Sequence, residues 1–328
     1  MQGIRMKFAV TVLLMLITAG VMQNAYINGY VMDLKGNDLQ PSAPDLQASA
    51  PIEKICEEVR KRAIQYSIPA KDAEIHTIWK ATPGYNGREV DIQASCSRMK
   101  KIGMFKEEQL VFKAVKPGTH LSDLPPSPVY RGNPDKPMVS LLINVAWGNE
   151  YLPGMLETLE KNHVKATFFF EGRWVKENPK LAKMIAEAGH EIGNHSYTHP
   201  DMKTLSTESA RVQMEQTNSV IKAVTGRTAA WFAPPSGSFS QNTVLIASGL
   251  GMRTALWSVD TIDWQNPAPE RLIQRVMTKV HPGAMILMHP TKASAEALDQ
   301  LIEQIKSQKL SLGTLTQLMD ESRIGEPQ

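Results

Sequence analysis

The pattern of apolar and polar positions changes character three times along the chain. An unbroken apolar run, Phe8 to Met22, follows Arg5 and Lys7. Residues 29–51 are then polar with scattered Pro and Ser, the texture of a tether. From 52 to 115 the pattern is that of a small mixed unit. Ile52, Ile55, Cys56, Val59 and Ala63 recur at helical spacing and predict an amphipathic helix over 52–66. Strands are predicted at 74–79 and 88–92 on either side of the turn Pro83-Gly84-Tyr85-Asn86-Gly87, then a short helix near 95–103 and a strand at 109–115. Between Lys116 and Met138 lie Pro117, Pro125, Pro126, Pro128, Pro134 and Pro137, which exclude a helix or a central strand and mark a linker.

From Val139 onward strands and helices alternate. Strands are predicted at 139–145, 164–170, 190–193, 229–232, 253–259 and 284–288, with a last strand or turn and a short helix over 310–319. Helices are predicted at 150–162, 178–188, 206–225, 241–250, 270–280 and 293–308. Ser206 is placed to cap the third helix. Repeated βα units imply parallel strands with helices outside. The expected class is therefore α/β: a distorted (β/α) barrel of about seven strands over 139–322, preceded by a small α/β domain and an N-terminal signal or anchor. In such barrels chemistry collects at the C-terminal ends of the strands.

Composition adds limits rather than detail. The 328 residues are 42% hydrophobic and 21% charged, with a net charge of +3. That is an ordinary globular balance, and no basic stripe interleaves with aromatics, so nucleic acid is not an expected partner. Cys56 and Cys96 are too few for a metal cluster; they either pair or remain buried thiols. The positive-then-apolar start predicts an export signal or membrane anchor over 1–28. Gln23-Asn24-Ala25 is a poor cleavage site, so a cleaved signal and an uncleaved anchor both fit. Either places residues from about 30 onward outside the cytoplasm, secreted or held on the outer face of the membrane.

Candidate chemistry centres on His195-Ser196-Tyr197-Thr198-His199. On a helical turn, residues four apart share a face, and two imidazoles can converge on a metal ion. Such a pair alone is more often packing, but here other polar motifs also follow predicted strands. They are Ala146-Trp147-Gly148-Asn149, Ala233-Pro234-Pro235-Ser236-Gly237, Asp260-Thr261-Ile262-Asp263-Trp264, and His289-Pro290.

Together with Val164 to Phe170, Gly189 to His199 and Leu287-Met288-His289, these motifs resemble the polysaccharide deacetylase family (NodB homology domain) over about 139–320, and more narrowly its sporulation-associated branch. The resemblance implies a barrel that hydrolyses acetyl groups, a non-peptide C–N bond in amino sugars, on chitin-like glycans or peptidoglycan. A zinc or other divalent ion would polarise the acetyl carbonyl and water. It implies His195 and His199 as metal ligands, Asp263 and His289 as the tuned general acid, and Leu287 as the acetyl-methyl contact.

Three expected groups are missing. Where the family has Thr-Phe-Asp-Asp-Gly, this chain has Asn144-Val145-Ala146-Trp147-Gly148, so Ala146 replaces the general base and Trp147 the third metal ligand. Ala233 replaces the arginine that orients the base. Loss of the base and its arginine together removes both halves of one interaction, since an unpaired arginine in a pocket would be costly. The resulting expectation is a cell-wall glycan protein whose standard activity is weak or lost. The other readings are a non-catalytic glycan-binding or scaffold protein, and a hydrolase with a rebuilt metal site in which Asn149, Glu150 or Asp260 substitutes. Glu150 has a simpler role in a first helical turn, and Asp260 in the strand-end network. Trp147, at a strand mouth, could stack on a sugar; Trp231 and Trp264 are expected in the core. Trp79 and Tyr85 could bind sugar but in a small domain are more often core. His76, His120, His163, His190 and His281 are expected to be structural.

Overall fold

The computed structural model describes residues 46–325, so the expected export segment and the tether up to residue 45 lie outside the described residues. Helix α1 spans Leu46–Tyr66 and takes in the last part of the predicted tether. Strands β1 (Glu74–His76) and β2 (Lys80–Thr82) form an antiparallel hairpin. The single strand predicted over 74–79 is broken because the His76 ring nitrogen accepts the N–H groups of Ile78 and Trp79, at 3.1 and 3.2 Å, and folds the chain back. Strand β3 (Gly87–Val90) pairs with β4 (Phe112–Val115) and not across the Pro83–Gly87 turn. Helix α2 (Ile92–Ile102) starts three residues before the predicted one, where the Asp91 carboxylate accepts the Ala94 N–H, and stops at Gly103 with φ of 79°. Ile55, Val59, Val90, Cys96 and Met99 form the core of this layer. Cys56 and Cys96 are buried free thiols in it.

The proline-rich segment is packed on the barrel along its length. Val129 is fully buried, donates its N–H to the Thr254 carbonyl and accepts that of Leu256. Asn133 donates to the Pro83 carbonyl at 3.0 Å. The buried Lys136 ammonium donates to the carbonyls of Gln317 and Asp320, and burial lowers its pKa to about 8. The Val129 backbone thus bonds to the barrel, the Asn133 side chain to the N-terminal unit and the Lys136 side chain to the C-terminal turn, so the segment clamps the three together.

The barrel strands are β5 (Met138–Val145), β6 (Thr167–Phe170), β7 (Glu191–Asn194), β8 (Trp231–Phe232), β9 (Arg253–Thr254), β10 (Val259–Asp260) and β11 (Met285–Met288). They are ordered β10-β11-β5-β6-β7-β8-β9, every pairing parallel, and curve into a half-barrel with helices around it; a short β12 (Ser311–Leu312) also joins β5. This is the expected (β/α) barrel in distorted form. The strand predicted over 253–259 splits because the backbone changes partners within it. Ala255 donates to the Phe232 carbonyl of β8, whereas Ser258 donates to Met285 of β11.

Central β5 is buried along nearly all its length, which its apolar run demands. Its side chains alternate: Val139, Leu141, Ile143 and Val145 join the larger cluster with the outer helices, whereas Leu142 packs with Phe169, Trp231 and Met285. The outer helices include α3 (Leu152–Lys161), α4 (Gly172–Glu177), α5 (Pro179–Glu187), α6 (Thr207–Thr225), α7 (Gln241–Gly249), α8 (Pro269–Met277) and α9 (Lys292–Ser307), followed by the terminal α10 (Leu315–Met319). The helix predicted at 178–188 is α5, and the unpredicted α4 precedes it; the two are separated at Asn178, whose φ/ψ of −126°/51° lies outside the helical region that a following proline disfavours. Ser206 caps α6 as expected, accepting the Ser209 N–H at 3.2 Å.

One glycine is fixed by the barrel filling. A Cβ at Gly193 would lie 2.4 Å from Cδ1 of the fully buried Phe169 ring. Gly193→Ala must displace that ring, so it should cost about 1–3 kcal/mol, the range for overpacking a core. Urea denaturation would read this as a lowered midpoint with an unchanged slope; an unshifted midpoint would show that the barrel centre is loosely packed.

Candidate functional site

The ends of these strands enclose a cleft of about 480 Å³. Ala146, Trp147, His195, His199, Leu287 and His289 line it, six of the eight positions singled out from sequence. The other two, Ala233 and Asp263, sit one layer behind, and each holds a histidine.

His195 lies just past β7 and is buried. Its Nδ1–H donates to the Ala233 carbonyl at 2.8 Å. That bond fixes the tautomer and leaves Nε2 as the nitrogen available to the cleft. Burial, reinforced by His199, lowers its pKa to about 3, so the ring is neutral. Burial also lowers the pKa of His199. The rings meet edge to face with centroids 5.0 Å apart.

The pair does not ride on a helical turn, contrary to the sequence expectation. Residues 195–199 form a bend with positive φ at Ser196 (65°) and His199 (57°). Side-chain amides stabilise it in place of helical bonds. Asn194 accepts the Ser196 N–H, and Gln213 of α6 accepts those of Tyr197 and Thr198, all at 2.9 Å. The Ser196 hydroxyl accepts the His199 N–H at 3.1 Å.

On the opposite wall, the His289 Nδ1–H donates to Asp263 Oδ1 at 2.8 Å. Asp263 has no exposed surface. Its other oxygen accepts the His289 N–H and the Ser294 hydroxyl of α9, both at 2.5 Å. A buried carboxylate needs such donors. They aim the His289 ring so that its Nε2 faces the cleft, placed to give or take a proton there. Leu287, nearly buried, supplies an apolar patch beside it.

Trp147 lies flat on His289, with centroids 5.8 Å apart and planes 8° from parallel. Gly148 makes this approach feasible: it has φ of 82°, and a Cβ there would fall 1.9 Å from the Pro290 carbonyl oxygen. The loops after β5 and β11 therefore touch, and the Trp147 indole, 47% exposed, shares the cleft wall with His289.

Of the three substitutes the sequence offers for the missing carboxylates, Asn149 and Glu150 do not line the cleft and Asp260 does. The Asn149 amide is engaged at both ends, donating to Asn178 at 2.8 Å and accepting from the Trp174 indole at 2.6 Å. Glu150 is exposed and does not line the cleft. Asp260 does line it, but one oxygen accepts the Ile262 N–H at 2.8 Å. Among the described residues no group of three or more His, Cys, Asp or Glu is placed to hold a metal ion. A catalytic zinc takes three protein ligands, and His195 and His199 supply two, so the donor set does not fit one.

Several other expectations are resolved. Trp264, expected in the core, is 57% exposed and lines the cleft, as does Trp257, which sequence reasoning missed. Asn144 was also missed; it is a polar side chain inside an apolar strand, a signal that could have found it. Trp231 is in the core, with its indole donating to Thr316. Tyr85 is buried with the Arg323 guanidinium over its ring, and Trp79 carries Arg131 over its face, so neither is an open sugar platform. His190 is structural: its Nδ1 accepts the Ala166 N–H at 3.2 Å and burial lowers its pKa to about 4.

The buried histidines give stability a pH dependence. In the unfolded chain both protonate near 6.5, whereas in the fold His190 and His195 stay neutral down to about 4 and 3. At these two groups the unfolded state therefore binds more protons in that window, and their contribution to stability falls as pH drops from about 6.5 towards 4, while His120, whose pKa its bond to Glu321 raises, acts in the opposite sense. Thermal unfolding midpoints across this range should show a shallower slope in His190→Gln than in the parent chain. Parallel slopes would remove His190 from the account.

A polysaccharide deacetylase family profile matches residues 131–255. An uncharacterised protein of Bacillus subtilis, YlxY, is 49% identical over 317 residues, 97% of either chain. The peptidoglycan-N-acetylmuramic acid deacetylase PdaA of the same organism is 32% identical over 203 residues, which cover 60% of this chain and 77% of PdaA. Among solved structures, a CE4 family pseudoenzyme from Bacillus anthracis superposes with a TM-score of 0.78 at 57% identity, covering 82% of this chain and 96% of its own. A mutant of that pseudoenzyme with restored enzymatic activity superposes equally well. With this extent of likeness and a strand-end cleft built from the family's motifs, the chain belongs to the polysaccharide deacetylase family.

Proposed function

We propose that this chain is an extracytoplasmic cell-wall glycan-binding protein that has kept the family's cleft and set aside its hydrolytic turnover. The observation that carries the reading is the composition of the cleft floor. The groups that hold substrate and move a proton at the leaving side remain, as Leu287 and the Asp263–His289 pair. The groups that activate water do not, because Ala146 has no proton acceptor and Trp147 cannot ligate a metal. General-base catalysis is worth about 10²–10⁴ in rate, or roughly 3–5.5 kcal/mol of barrier. The missing third ligand compounds that loss.

What the cleft offers instead is aromatic surface. Trp147, Trp257 and Trp264 all line it, and flat indoles suit the apolar faces of sugar rings. The relatives named for peptidoglycan deacetylation support wall glycan as the ligand. The positive-then-apolar N-terminus supports a position outside the cytoplasm, secreted or anchored. The sporulation-associated motif pattern supports a wall made during endospore formation. Continued hydrolysis is the competing reading, and the retained Asp263–His289 pair favours it.

Two measurements separate these readings. The purified chain should retain well under one equivalent of zinc after dialysis and release no acetate from acetylated glycan. The triple variant Ala146→Asp, Trp147→Asp, Ala233→Arg should gain both. Stoichiometric metal with robust turnover in the parent chain would overturn the proposal. For binding, Trp147→Ala should weaken affinity for chitotetraose about three- to tenfold, the worth of one aromatic contact. Titration of tryptophan fluorescence reads this, and an unchanged affinity would take Trp147 out of the binding surface.

A further inference from the structure

Behind the loop that carries Asp263 lies a second, larger cleft of about 590 Å³. One wall is the loop itself, through Thr261, Ile262 and Gln265; the other is α8 and the residues just after it. Along that wall Arg271 and Arg275 lie four apart on one face of α8, and Lys279 follows at the same interval in the turn after its end. Leu272, Ile273 and Val276 take the opposite, buried face.

Three features set this wall apart from an ordinary solvated helix face. No acidic residue lines the cleft, and among the described residues none of the three cations forms an ion pair. Like charges four apart on a helix repel one another. Arg271 also sits in the first turn of α8, where the helix dipole favours an anion. Arg275, in the last turn, and Lys279 beyond it are well placed for the dipole, so Arg271 is the cation that helix stability does not explain.

The cleft is also tied to the glycan site. The Arg275 Nε–H donates to the Asp260 carbonyl at 3.0 Å. Asp260 and Trp264 face the tryptophan cleft, while Thr261, Ile262 and Gln265 face the basic one. One short loop thus separates the tryptophan cleft from a row of cations that, among the described residues, form no ion pair.

We propose that the basic cleft binds the carboxylates of the peptide branch carried by a peptidoglycan glycan whose sugars lie in the tryptophan cleft. Planar guanidinium groups suit carboxylates because both oxygens can be engaged at once. An extended peptide branch reaches about 3.3–3.6 Å further with each residue, and the two clefts share the loop from Asp260 to Gln265. This inference rests on the glycan-binding reading given above and adds to it a preference for peptide-bearing over bare glycan.

The test compares two probes on the full-length chain at low salt: a disaccharide-tetrapeptide from peptidoglycan and uncharged chitotetraose. Arg275 is left intact because it supports the loop, and the variant is Arg271→Gln with Lys279→Gln. The parent chain should bind the muropeptide about tenfold more tightly than chitotetraose, and added salt should shrink the difference. The double variant should lose that preference and keep its affinity for chitotetraose. Equal affinities in the parent chain, or a preference unchanged in the variant, would overturn the basic-cleft proposal and leave the tryptophan cleft standing. Failure of both probes to bind the parent chain would overturn both readings. A third arm uses a muropeptide with its carboxylates amidated, which should bind no better than chitotetraose. A peptide-free teichoic polymer that competed more strongly than the muropeptide would reassign the site to phosphate.

Discussion

The interaction on which this structure depends is the two-sided burial of β5 in a parallel ladder. A strand buried on both faces satisfies its backbone only through its neighbours, and β11 and β6 take those bonds on either side. The ladder runs without a bulge through Ile143, opposite Met288 on one edge and Phe168 on the other. In that register β6 ends opposite Val145, the last residue of β5, and β11 ends opposite Ile143, two residues short of it. The loops bearing Trp147 and His289 therefore begin side by side, and the close approach at Gly148 brings their rings into contact. The cleft is a consequence of strand register before it is a matter of side-chain choice.

That order explains what could be read from sequence. The barrel was legible because a run such as Val139–Val145 admits few fates, and the repeat of strand and helix restricts topology further. The cleft positions were legible because strand ends in such barrels meet at one rim. Less legible were features set by particular side-chain-to-backbone bonds. The His76 ring turned a strand into a hairpin, and the amides of Asn194 and Gln213 replaced an expected helical turn by a bend. The seam at 255–258, where backbone bonds pass from β8 to β11, has no periodic signature, and Trp257 was missed because it lies there. Trp264 was misplaced for a related reason. It follows Ile262, held at φ of 53°, and nothing in the hydrophobic pattern indicates that such a turn points an indole outward.

The pattern of what the family's motif has kept and lost also has a physical side. Asp263 accepts three hydrogen bonds in a fully buried position. Removing it would strand the Ser294 hydroxyl and the His289 N–H, at about 1–3 kcal/mol for each group left unsatisfied. His195 likewise fills a buried place between β7 and the Ala233 carbonyl. These residues are held by the fold whatever the chemistry. Ala146 and Trp147 stand on a partly exposed loop, where the Trp147 indole stacks on His289 but takes no part in the hydrogen-bonded frame that holds the histidines. Retention of the Asp263–His289 pair is therefore weaker testimony for catalysis than its geometry first suggests.

Position 233 divides its duties between two kinds of atom. The bond that orients His195 comes from the main-chain carbonyl, which every amino acid possesses, while the family's arginine acts through its side chain. Selection can change one without touching the other. The frame of the site is thus insulated from substitutions at this position as long as the backbone keeps its place.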